Sequence, residues 1–450
     1  MTKPYPYQLE IVNRICRFNG RALVSLDMGC GKTLVALLYA KRIGARPVVV
    51  VCPASVKWHW QREAAKHVGM RAEVLEGMSP DRNGGLSPRA PIIVLNYDIL
   101  GPWLPHLREL NPQLVVIDES QALQDLRTQR TKNTRELCQG VPNVLALSGT
   151  PIINRPKEIW PTLNILRSDL YPSFWKFGFK FCAPKRTFWG WDFRGASNLD
   201  ELRKGLKRFV MIRKRKEEVL KDLPKFRRIV VPMEIRNRPK YDQAQDDFLG
   251  WLAKYDPAKL NSAMRAKRLV QLGYLKRLAA RLKMRNVLEW VDDFLADTDD
   301  KLVVFAVHRK IIKRLRDRYA GMAVVVDGSV TGRTRQLAID QFQKFKKKRM
   351  LIGQGKAAGT GIGLTAATAT AFVELAWNPG THTQAEARTL RIGQDRPVTY
   401  WYLVARDTIE EKLLKISQDK QKVLTAAMDG GKGEDFDVFD RLCEALKESI

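Results

Sequence analysis

Two series of short, continuous apolar runs, rich in Val, Ile and Leu, constrain the fold of this chain most strongly. The first series comprises Ala22–Leu26, Val48–Cys52, Ile92–Leu95, Leu114–Ile117 and Val144–Leu147. The second comprises Leu302–Ala306, Ala323–Val326, Met350–Ile352, Ala371–Leu375 and Val398–Leu403. Such runs are typical of strands that are buried on both faces. Helical patterns lie between several of them (Thr33–Ile43, Arg309–Tyr319, Thr334–Phe345). The alternation predicts two doubly wound α/β lobes, each with a parallel sheet.

The length of the chain requires more than one core. Its 450 residues, 45% of them hydrophobic, suit two or three domains better than one. We expect a first lobe over residues 1–155 and a second lobe, with a C-terminal brace helix, over residues 296–450. Residues 156–295 show no comparable strand-like runs and are basic and aromatic-rich. This composition predicts helical insertions and a linker between the lobes.

The charge of the chain predicts a polyanionic partner. Lys and Arg number 78 against 48 Asp and Glu, which gives a net charge of +30. The basic residues are concentrated at 203–228, 265–285 and 344–349. Solubility alone is the weaker explanation for so large an excess.

Other bulk features restrict the class of protein. No stretch of about 20 apolar residues predicts a membrane span, and the first residues lack the apolar core of a secretory signal. The six cysteines are scattered and none forms a Cys-x-x-Cys pair. We therefore expect a reduced, intracellular protein without a metal cluster; catalytic Mg²⁺ remains compatible with this composition.

A glycine-rich turn between the first apolar run and the first helical pattern predicts a phosphate loop. The segment comprises Met28, Gly29, Cys30, Gly31, Lys32 and Thr33. The two glycines let backbone N–H groups approach phosphates. Lys32 offers a positive charge to the β- and γ-phosphates, and Thr33 offers a hydroxyl to Mg²⁺. Leu26 stands where the full pattern has its first glycine. The expected ligands are ATP and Mg²⁺.

Two further segments follow strand-like runs of the first lobe. Asp118 and Glu119 come directly after Leu114–Ile117, at a strand end where α/β sheets bind ligands. Asp118 is expected to hold Mg²⁺, and Glu119 to activate the attacking water. Ser148–Pro151 closes the fifth run. Its small hydroxyl residues are candidates for linking the nucleotide state to the other lobe, although a plain turn explains them equally well.

Two arginines in the second lobe are candidate catalytic groups. Arg388 and Arg391 are three residues apart, so they share one face of a predicted helix. Arginines so placed neutralise charge on a γ-phosphoryl group in the transition state. The glycine-rich segment 359–365 is a weaker signal for a loop that contacts phosphate or lines a cleft.

Taken in order, these segments resemble the SWI/SNF-related branch of the superfamily-two helicase-like ATPases over nearly the whole chain. The resemblance also rests on Pro6–Gln8, Val51–Trp60, Asn96–Asp98, Phe305–His308, Asp327–Ser329, Glu374–Pro379 and Arg391–Gln394. Within the branch, the segments Gly190–Leu202, Met211–Arg213 and Leu223–Pro224 resemble the HARP-like annealing helicases. The departures are Leu26-Asp27, Gln121 in place of a histidine, Gly363 in place of Asn and Leu390 in place of His. None of these replaces a predicted catalytic residue, so an active enzyme is expected.

The resemblance implies two RecA-like lobes with ATP bound between them and DNA running across both. It assigns Gln8 to adenine and Gly361 to the nucleotide site. As DNA contacts we expect Ser55, Lys57, Asn96, Thr365 and Trp377. The basic segments near Arg213–Lys216 and Lys276–Arg281 are expected to add grip on the duplex. The expected partner is duplex or forked DNA, contacted mainly through phosphates; the sequence does not identify protein partners, and a monomer is expected.

Three functions are compatible with these motifs. The leading hypothesis is a DNA-dependent ATPase that translocates along duplex or forked DNA and remodels or anneals it. The second is a strand-separating DNA helicase or an RNA-directed enzyme. The third is an ATP-switched DNA-binding scaffold with little hydrolysis, which the departures at Leu26 and Gln121 keep open.

Overall fold

The computed structural model describes residues 3–80, 90–149, 151, 155–188, 190–220, 222–253, 262–330, 332–355, 362–429 and 438–447. The chain divides into two compact units at Asp222/Leu223; residues 426–429, the end of a helix that otherwise belongs to the second unit, are grouped with the first. The division falls inside the predicted insertion 156–295, whose boundaries stay a prediction. Within the described ranges, no helix is long and apolar enough to span a membrane.

The first unit is built on nine strands and nine α-helices, besides short 3₁₀ and π helices, within the described residues. Its strands are β1 Arg21–Leu26, β2 Val48–Cys52, β3 Ala72–Val74, β4 Ile92–Asn96, β5 Leu114–Asp118, β6 Asn143–Ser148, β7 Lys185–Thr187, β8 Gly190–Asp192 and β9 Met211–Lys214. Its helices are α1 Pro6–Arg17, α2 Lys32–Arg42, α3 Lys57–Glu63, α4 Leu100–Glu109, α5 Gln129–Leu137, α6 Trp160–Leu166, α7 Phe174–Phe181, α8 Leu199–Phe209 and α9 Lys216–Val219.

The main sheet of the first unit has seven strands in the order β3-β4-β2-β5-β6-β1-β9, and every pairing is parallel. All residues of β2, β4 and β5 are buried, as continuous apolar strands covered on both faces should be. The carboxyl ends of β5, β6 and β1 lie side by side at one edge. The residues that follow these three strands therefore meet there.

The second unit has six strands and eight helices within the described residues. Its strands are β10 Phe226–Met233, β11 Lys301–Ala306, β12 Ala323–Val326, β13 Met350–Gln354, β14 Ala367–Phe372 and β15 Val398–Ala405. Its helices are α10 Arg238–Ala253, α11 Ser262–Leu282, α12 Met284–Asp297, α13 Arg309–Arg318, α14 Gly332–Lys344, α15 Pro379–Glu386, α16 Ile409–Asp429 and α17 Val438–Lys447.

The sheet of the second unit is also parallel throughout, in the order β10-β15-β14-β11-β13-β12. Alternate residues of β11 contribute to two different hydrophobic clusters: Val303 and Phe305 to one, Leu302 and Val304 to the other. The sheet is thus covered on both faces. The predicted fold class, two doubly wound parallel-sheet lobes, is confirmed.

The expectation that residues 155–295 lack sheet strands was wrong. β9 and β10 lie in this segment, each as an edge strand of one main sheet, and β7 and β8 form a separate hairpin. Edge strands are not covered on both sides, so their sequences need not be continuously apolar. Most residues of β10 are exposed or half-buried, and its sequence begins Phe-Arg-Arg.

The predicted run Ala371–Leu375 was misplaced by several residues, because the strand is β14, Ala367–Phe372. Its first half alternates Ala and Thr, which carries little apolar signal. Thr370 is nevertheless fully buried, with its hydroxyl 3.4 Å from that of Thr389.

Candidate nucleotide site and nucleic-acid interface

The predicted phosphate loop connects β1 to α2 in a conformation that requires its glycines. Gly29 and Gly31 have φ of 86° and 73°, and Gly31 caps the N-terminus of α2. Such φ values are strained for residues with a Cβ. Lys32 opens the helix, and its Nζ donates to the backbone oxygen of Leu26 at 2.8 Å. The helix N-terminus and the ammonium together provide an anion-binding geometry.

The segment after β6 packs against this loop. A Cβ built on Gly149 would lie 3.5 Å from Lys32 Nζ and 3.1 Å from Met28 Cγ. A larger side chain at position 149 would therefore displace the loop side chains. Thr150 lies outside the described residues.

Gln8, on α1, offers a buried donor beside the loop. Its Oε1 accepts the backbone N–H of Tyr5 at 3.0 Å, whereas its Nε2 has no hydrogen-bond partner among the described residues. The neighbouring Tyr7 hydroxyl donates to the backbone oxygen of Cys30 at 2.9 Å. A buried donor without a partner costs about 1–3 kcal/mol. An adenine ring, which carries acceptor nitrogens, fits this donor, and the residues present thus suit ATP.

Cys30 is a packing residue of the loop. Its side chain is fully buried, and burial raises the pKa of its thiol to about 11. The thiol therefore remains protonated at neutral pH and is not a nucleophile.

Asp118 is held at the end of β5 by contacts from three other positions. Trp60 Nε1 donates to its Oδ2 at 2.9 Å, the backbone N–H of Glu119 donates to its Oδ1 at 3.0 Å, and the Tyr97 hydroxyl donates to its backbone oxygen at 2.7 Å. Burial, together with the adjacent charge of Glu119, raises the pKa of Asp118 to about 6, against the opposing effects of Trp60 and Lys32. A buried carboxylate of this kind is stabilised by a cation.

The donor set suits Mg²⁺ in particular. Thr33 and Asp118 offer hard oxygen ligands, which this ion prefers. Among the described residues, no group of three His, Cys, Asp or Glu side chains forms a metal site. Mg²⁺ would thus take its remaining ligands from water and substrate phosphates, as it commonly does.

Glu119, Gln121 and Ser148 form a continuous hydrogen-bonded relay. Ser148 Oγ donates to Gln121 Oε1 at 2.7 Å, and Gln121 Nε2 donates to Glu119 Oε2 at 2.5 Å. The backbone of Glu119 is left-handed, with φ 52° and ψ 54°, a conformation that is uncommon for a residue with a Cβ. Gln121, one of the departures from the family pattern, thus links the end of β5 to the end of β6.

Arg213 has a different place from the one predicted. It lies on β9, beside β1, and only 11% of its side chain is exposed. Its guanidinium contacts Asp27 Oδ1 at 3.0 Å and the backbone oxygen of Gly149 at 3.3 Å. The expectation that Arg213 adds grip on the duplex is contradicted, because its guanidinium is used inside the first unit. Arg213 instead ties Asp27, another departure from the pattern, to the segment after β6.

Arg388 and Arg391 do not lie on a helix, contrary to prediction, because α15 ends at Glu386. They occupy the turns that follow. Arg388 Nε donates to the backbone oxygen of Gln384 at 3.0 Å, and Arg391 Nη1 donates to that of Ile362 at 3.1 Å. Arg388 Nη1 is 3.5 Å from the same Ile362 oxygen. Both arginines thus converge on one carbonyl, as their spacing suggested, but through a turn.

The lack of a side chain at Gly363 leaves room for the guanidinium of Arg391. A Cβ at position 363 would lie 3.1 Å from Arg391 Nη1, so the asparagine common in the family would require a shift here. Gly361, predicted to bind nucleotide, lies outside the described residues.

The comparisons with known proteins agree with this architecture. Residues 7–285 match the model of the SNF2-related domain, and residues 283–393 match that of the helicase conserved C-terminal domain. The chain belongs to the SNF2-related family. This confirms the family predicted from the motifs, that of helicase-like ATPases.

Relatives of this SNF2-related chain include annealing helicases. The chain is 34% identical over 430 residues to the SWI/SNF-related matrix-associated actin-dependent regulator of chromatin subfamily A-like protein 1 of Xenopus laevis, covering 94% of this chain and 44% of the relative. It is 29% identical over 451 residues to the DNA annealing helicase and endonuclease ZRANB3 of Mus musculus, covering 96% and 41%. The chain thus spans less than half the length of these curated relatives. They confirm the predicted resemblance to the annealing-helicase branch.

Among solved structures, the chain is similar to the Sulfolobus solfataricus SWI2/SNF2 ATPase core in complex with dsDNA. The sequences are 23% identical and the TM-score is 0.46, with coverage of 95% of this chain and 94% of that one.

The predicted DNA contacts of the SNF2-related core differ in accessibility. Ser55 is half-buried in the turn after β2. Asn96 is 6% exposed at the end of β4, with its Nδ2 3.3 Å from Asp98 Oδ2. Lys57 is 7% exposed, and its Nζ donates inward to the backbone oxygen of Leu75 at 2.8 Å. This geometry contradicts the prediction for Lys57, because its ammonium is used inside the fold.

Two further predicted contacts lie in the second unit. Thr365 is half-buried, and its backbone oxygen accepts Gln394 Nε2 at 3.1 Å. The Trp377 ring lies over Lys276 Nζ at 4.8 Å and packs on Phe439. Lys276 itself is 1% exposed, which contradicts its predicted grip on the duplex.

Several residues that support the site were not predicted from the sequence. Trp60 and Tyr97 hold Asp118, and Arg213 holds Asp27. Trp60 and Tyr97 stand within segments that the family resemblance singled out, Val51–Trp60 and Asn96–Asp98, but their hydrogen bonds to β5 depend on strand order, which those segments do not encode.

Proposed function

We propose that this chain is a DNA-dependent ATPase that couples ATP hydrolysis to stepping along duplex or forked DNA, and thereby remodels or anneals it. The observation that carries the proposal is the meeting of Lys32, the Asp118–Glu119 pair and Ser148–Gly149 at one edge of the first sheet. The family membership and the name of the annealing-helicase relative support the same activity.

The first unit offers a group for each part of ATP. The buried Nε2 of Gln8 would donate to adenine. Backbone N–H groups of the Met28–Gly31 segment, together with Lys32, would hold the phosphates. Thr33 and Asp118 would hold Mg²⁺. When bound, ATP supplies the γ-phosphoryl group that is transferred to water.

Glu119 is the proposed base. Its carboxylate, fixed by the Gln121 amide, would accept a proton from the attacking water while the other side chains of the site hold the phosphates. Gln121 prevents the carboxylate from rotating away. Because Ser148 donates to the same glutamine, movement of the segment after β6 would change the position of the Glu119 carboxylate.

The second unit would supply charge stabilisation. Arg388 and Arg391 are proposed to act on the γ-phosphoryl group during turnover, an assignment that rests on their motif, and Gly361 is proposed as a nucleotide contact on the same ground. Ser55, Asn96, Thr365 and Trp377 remain proposed DNA contacts. The net charge of +30 favours binding through phosphates, and we propose that the chain acts as a monomer.

ATP turnover tests this proposal. We would compare the wild-type chain, Lys32→Ala and Glu119→Gln without nucleic acid and with single-stranded DNA, blunt duplex, forked DNA or RNA. Duplex or forked DNA should stimulate the wild type. Glu119→Gln should lower kcat by about 10²- to 10⁴-fold while ATP still binds. Lys132→Ala, an exposed lysine of α5, is the matched control and should behave as wild type.

Two results would contradict the proposal. Absence of turnover with every nucleic acid would favour an ATP-switched scaffold. Displacement of a strand from a fork, with no displacement of a third strand from a triplex, would favour a strand-separating helicase over a duplex translocase.

DNA affinity should also fall steeply with salt and depend little on sequence.

A further inference from the structure

The segment Gly190–Leu202, which carries the resemblance to annealing helicases, has no role in the nucleotide site. It begins with β8, which pairs antiparallel with β7 and places Arg186 opposite Trp191. Residues directly opposite in such a pair lie on the same face of the hairpin. The hairpin follows α7 in sequence and packs on it through aromatic residues.

Phe193 anchors the hairpin to α7. It is buried, with its ring centroid 5.1 Å from that of Phe174 and 5.7 Å from that of Phe179. A Cβ at Gly178 would lie 2.7 Å from the Phe193 ring, so this helix position admits only glycine without displacement of the ring. The close approach fixes the hairpin against the helix.

Polar residues of the same segment complete the attachment. A Cβ at Gly195 would lie 2.9 Å from the backbone oxygens of Cys182 and Ala183. Ser197 Oγ donates to the Lys180 backbone oxygen at 2.9 Å, and Asn198 Nδ2 donates to the same oxygen at 2.8 Å. These contacts account structurally for Phe193, Gly195, Ser197 and Asn198. They do not involve Trp191.

Trp191 instead belongs to a row of exposed rings, the aromatic ridge, formed by Trp175, Phe179 and Trp191. The Phe179 ring lies 4.9 Å from that of Trp191 and 6.1 Å from that of Trp175. The three residues are 56%, 47% and 43% exposed in the order Trp175, Phe179, Trp191. Contiguous large aromatic side chains left in contact with water mark interaction sites.

The surroundings of the aromatic ridge are positively charged. Lys176, Lys185 and Arg186 are exposed, and none of them forms an ion pair with another described residue. The nearby acids are neutralised: Asp192 pairs with Arg194 at 2.6 Å, and Glu201 pairs with Lys180 at 2.5 Å. The net local charge therefore favours an anionic ligand and disfavours a basic one.

We propose that the aromatic ridge binds the unpaired bases of single-stranded DNA, with Lys176, Lys185 and Arg186 on its phosphates. The inference deepens the proposed function and rests on it, since it assumes that the chain acts on DNA. Aromatic side chains that stack on bases beside cations are the usual means of binding single strands without sequence preference. The ridge would thus distinguish forked DNA, which has unpaired arms, from a blunt duplex.

Equilibrium binding of the whole chain tests the inference. Fluorescence anisotropy would give dissociation constants for a single-stranded oligonucleotide, a fork with two single-stranded arms and a blunt duplex, at one salt concentration and without ATP. Phe179→Leu and Trp191→Leu remove the stacking surface but keep an apolar side chain. Phe179→Tyr and Trp191→Phe retain an aromatic ring and serve as conservative partners.

The leucine variants should bind the single strand and the fork about 5- to 100-fold more weakly, whereas the aromatic variants should stay within about threefold of wild type. Affinity for the blunt duplex should change by less than about twofold in all four. Leu170→Ala, which removes an exposed apolar side chain of the first unit outside the ridge, should leave all three constants unchanged. Circular dichroism and melting temperature would verify that each variant is folded.

Three outcomes would overturn the inference. In the first, the folded leucine variants bind single strand and fork as wild type does. In the second, they lose affinity for the blunt duplex to the same extent, which would make the ridge a duplex contact. In the third, the wild type binds no DNA, which would contradict the proposed function as well. This outcome is distinguishable from the other two because it is seen with the wild type, before any substitution is made.

Discussion

The two units use the same type of parallel sheet but treat buried charge differently. In the first unit, charged and polar groups from separate segments meet at one edge of the sheet, as the relay from Ser148 to Glu119 shows. Asp118 remains there with a raised pKa, and Gln8 retains a donor without a partner among the described residues. A bound nucleotide would offer an acceptor to Gln8, and a bound cation would offer a positive charge to Asp118.

In the second unit, the buried carboxylates Glu410 and Glu386 each have a cationic partner within the fold. Lys283 and Glu410 are fully buried and 2.5 Å apart. Arg228 donates two hydrogen bonds of 2.7 Å to Glu386. Part of the basic cluster at 265–285 is therefore interior structure, and basic sequence composition overstates the surface available for DNA. Similar parallel sheets can thus carry a candidate catalytic edge in one unit and buried ion pairs in the other.

Arg388 provides the strongest test of this comparison, because it belongs to the second unit and yet is proposed to act in catalysis. Arg388→Ala should lower kcat by about 10³-fold or more, the lower part of the range for arginines that stabilise phosphoryl transfer. ATP turnover would be measured with saturating duplex DNA. Arg396→Ala, which removes an exposed ion pair with Asp300, is the control and should retain turnover. Near-normal kcat for folded Arg388→Ala would make this arginine purely structural.

The Lys283–Glu410 pair should support the second unit alone. Lys283→Met keeps most of the side-chain volume but leaves Glu410 buried without its counter-charge, at an expected cost of about 3–5 kcal/mol in the free energy of unfolding. Denaturant unfolding would measure the loss, and hydrogen exchange in β15 and α12 would localise it to the second unit. The double variant Lys283→Met/Glu410→Leu should recover much of the stability. If the double variant is no more stable than the single one, the loss does not come from an isolated charge.

The sequence was sufficient to predict the central strands of both sheets. The run Val48–Cys52 coincides with β2 to the residue, and Leu302–Ala306 falls within β11, which is one residue longer, because burial on both faces demands continuous apolar sequence. The edge strands β9 and β10 were missed, since an edge does not impose that demand. The sequence pattern also did not predict where α15 ends. Arg388 and Arg391 have helical spacing but follow the end of this helix.

Within the candidate site, residue types were predictable but their partners were not. Lys32, Asp118 and Glu119 stand in recognisable positions beside strand ends. The partnership of Asp27 with Arg213, by contrast, depends on β9 lying beside β1, residues almost two hundred positions apart in sequence. Such contacts follow from strand order, which local patterns do not encode.

The stability of the second unit should depend on pH through His382. Its Nε2 accepts the backbone N–H of Ala376 at 2.8 Å, and burial, aided by Lys276, lowers its pKa to about 4. The unfolded chain, in which a histidine has a pKa near 6.5, binds more protons between pH 4 and 6.5. Stability should therefore fall as pH decreases through this range, by at most about 3 kcal/mol from this residue.

Urea unfolding at pH 7, 5.5 and 4.5 would measure the effect. His382→Gln keeps an acceptor for Ala376 but cannot titrate, so its stability should depend less steeply on pH than that of the wild type. An identical slope for both proteins would show that His382 does not titrate differently in the folded and unfolded states.

The smallest expected effect concerns the relay through Gln121. In the first unit, this relay connects Glu119, the proposed base, to the segment after β6. Gln121→Ala removes the donor to Glu119 and the acceptor for Ser148. Loss of a hydrogen bond to a charged group costs about 1.5–3 kcal/mol; only the part that differs between ground and transition states lowers kcat. We expect a decrease of about 5- to 30-fold, smaller than for Arg388→Ala.

A double-mutant cycle distinguishes a relay from two independent contacts. Ser148→Ala removes the far end of the relay and should lower kcat less than Gln121→Ala does. If Ser148 acts through Gln121, the double variant should be no slower than Gln121→Ala alone, because the shared path is already broken. Fully additive losses would mean that Ser148 and Gln121 contribute separately. In that case the ends of β5 and β6 would be neighbours without coupling, and the first unit would resemble the second more closely than its geometry suggests.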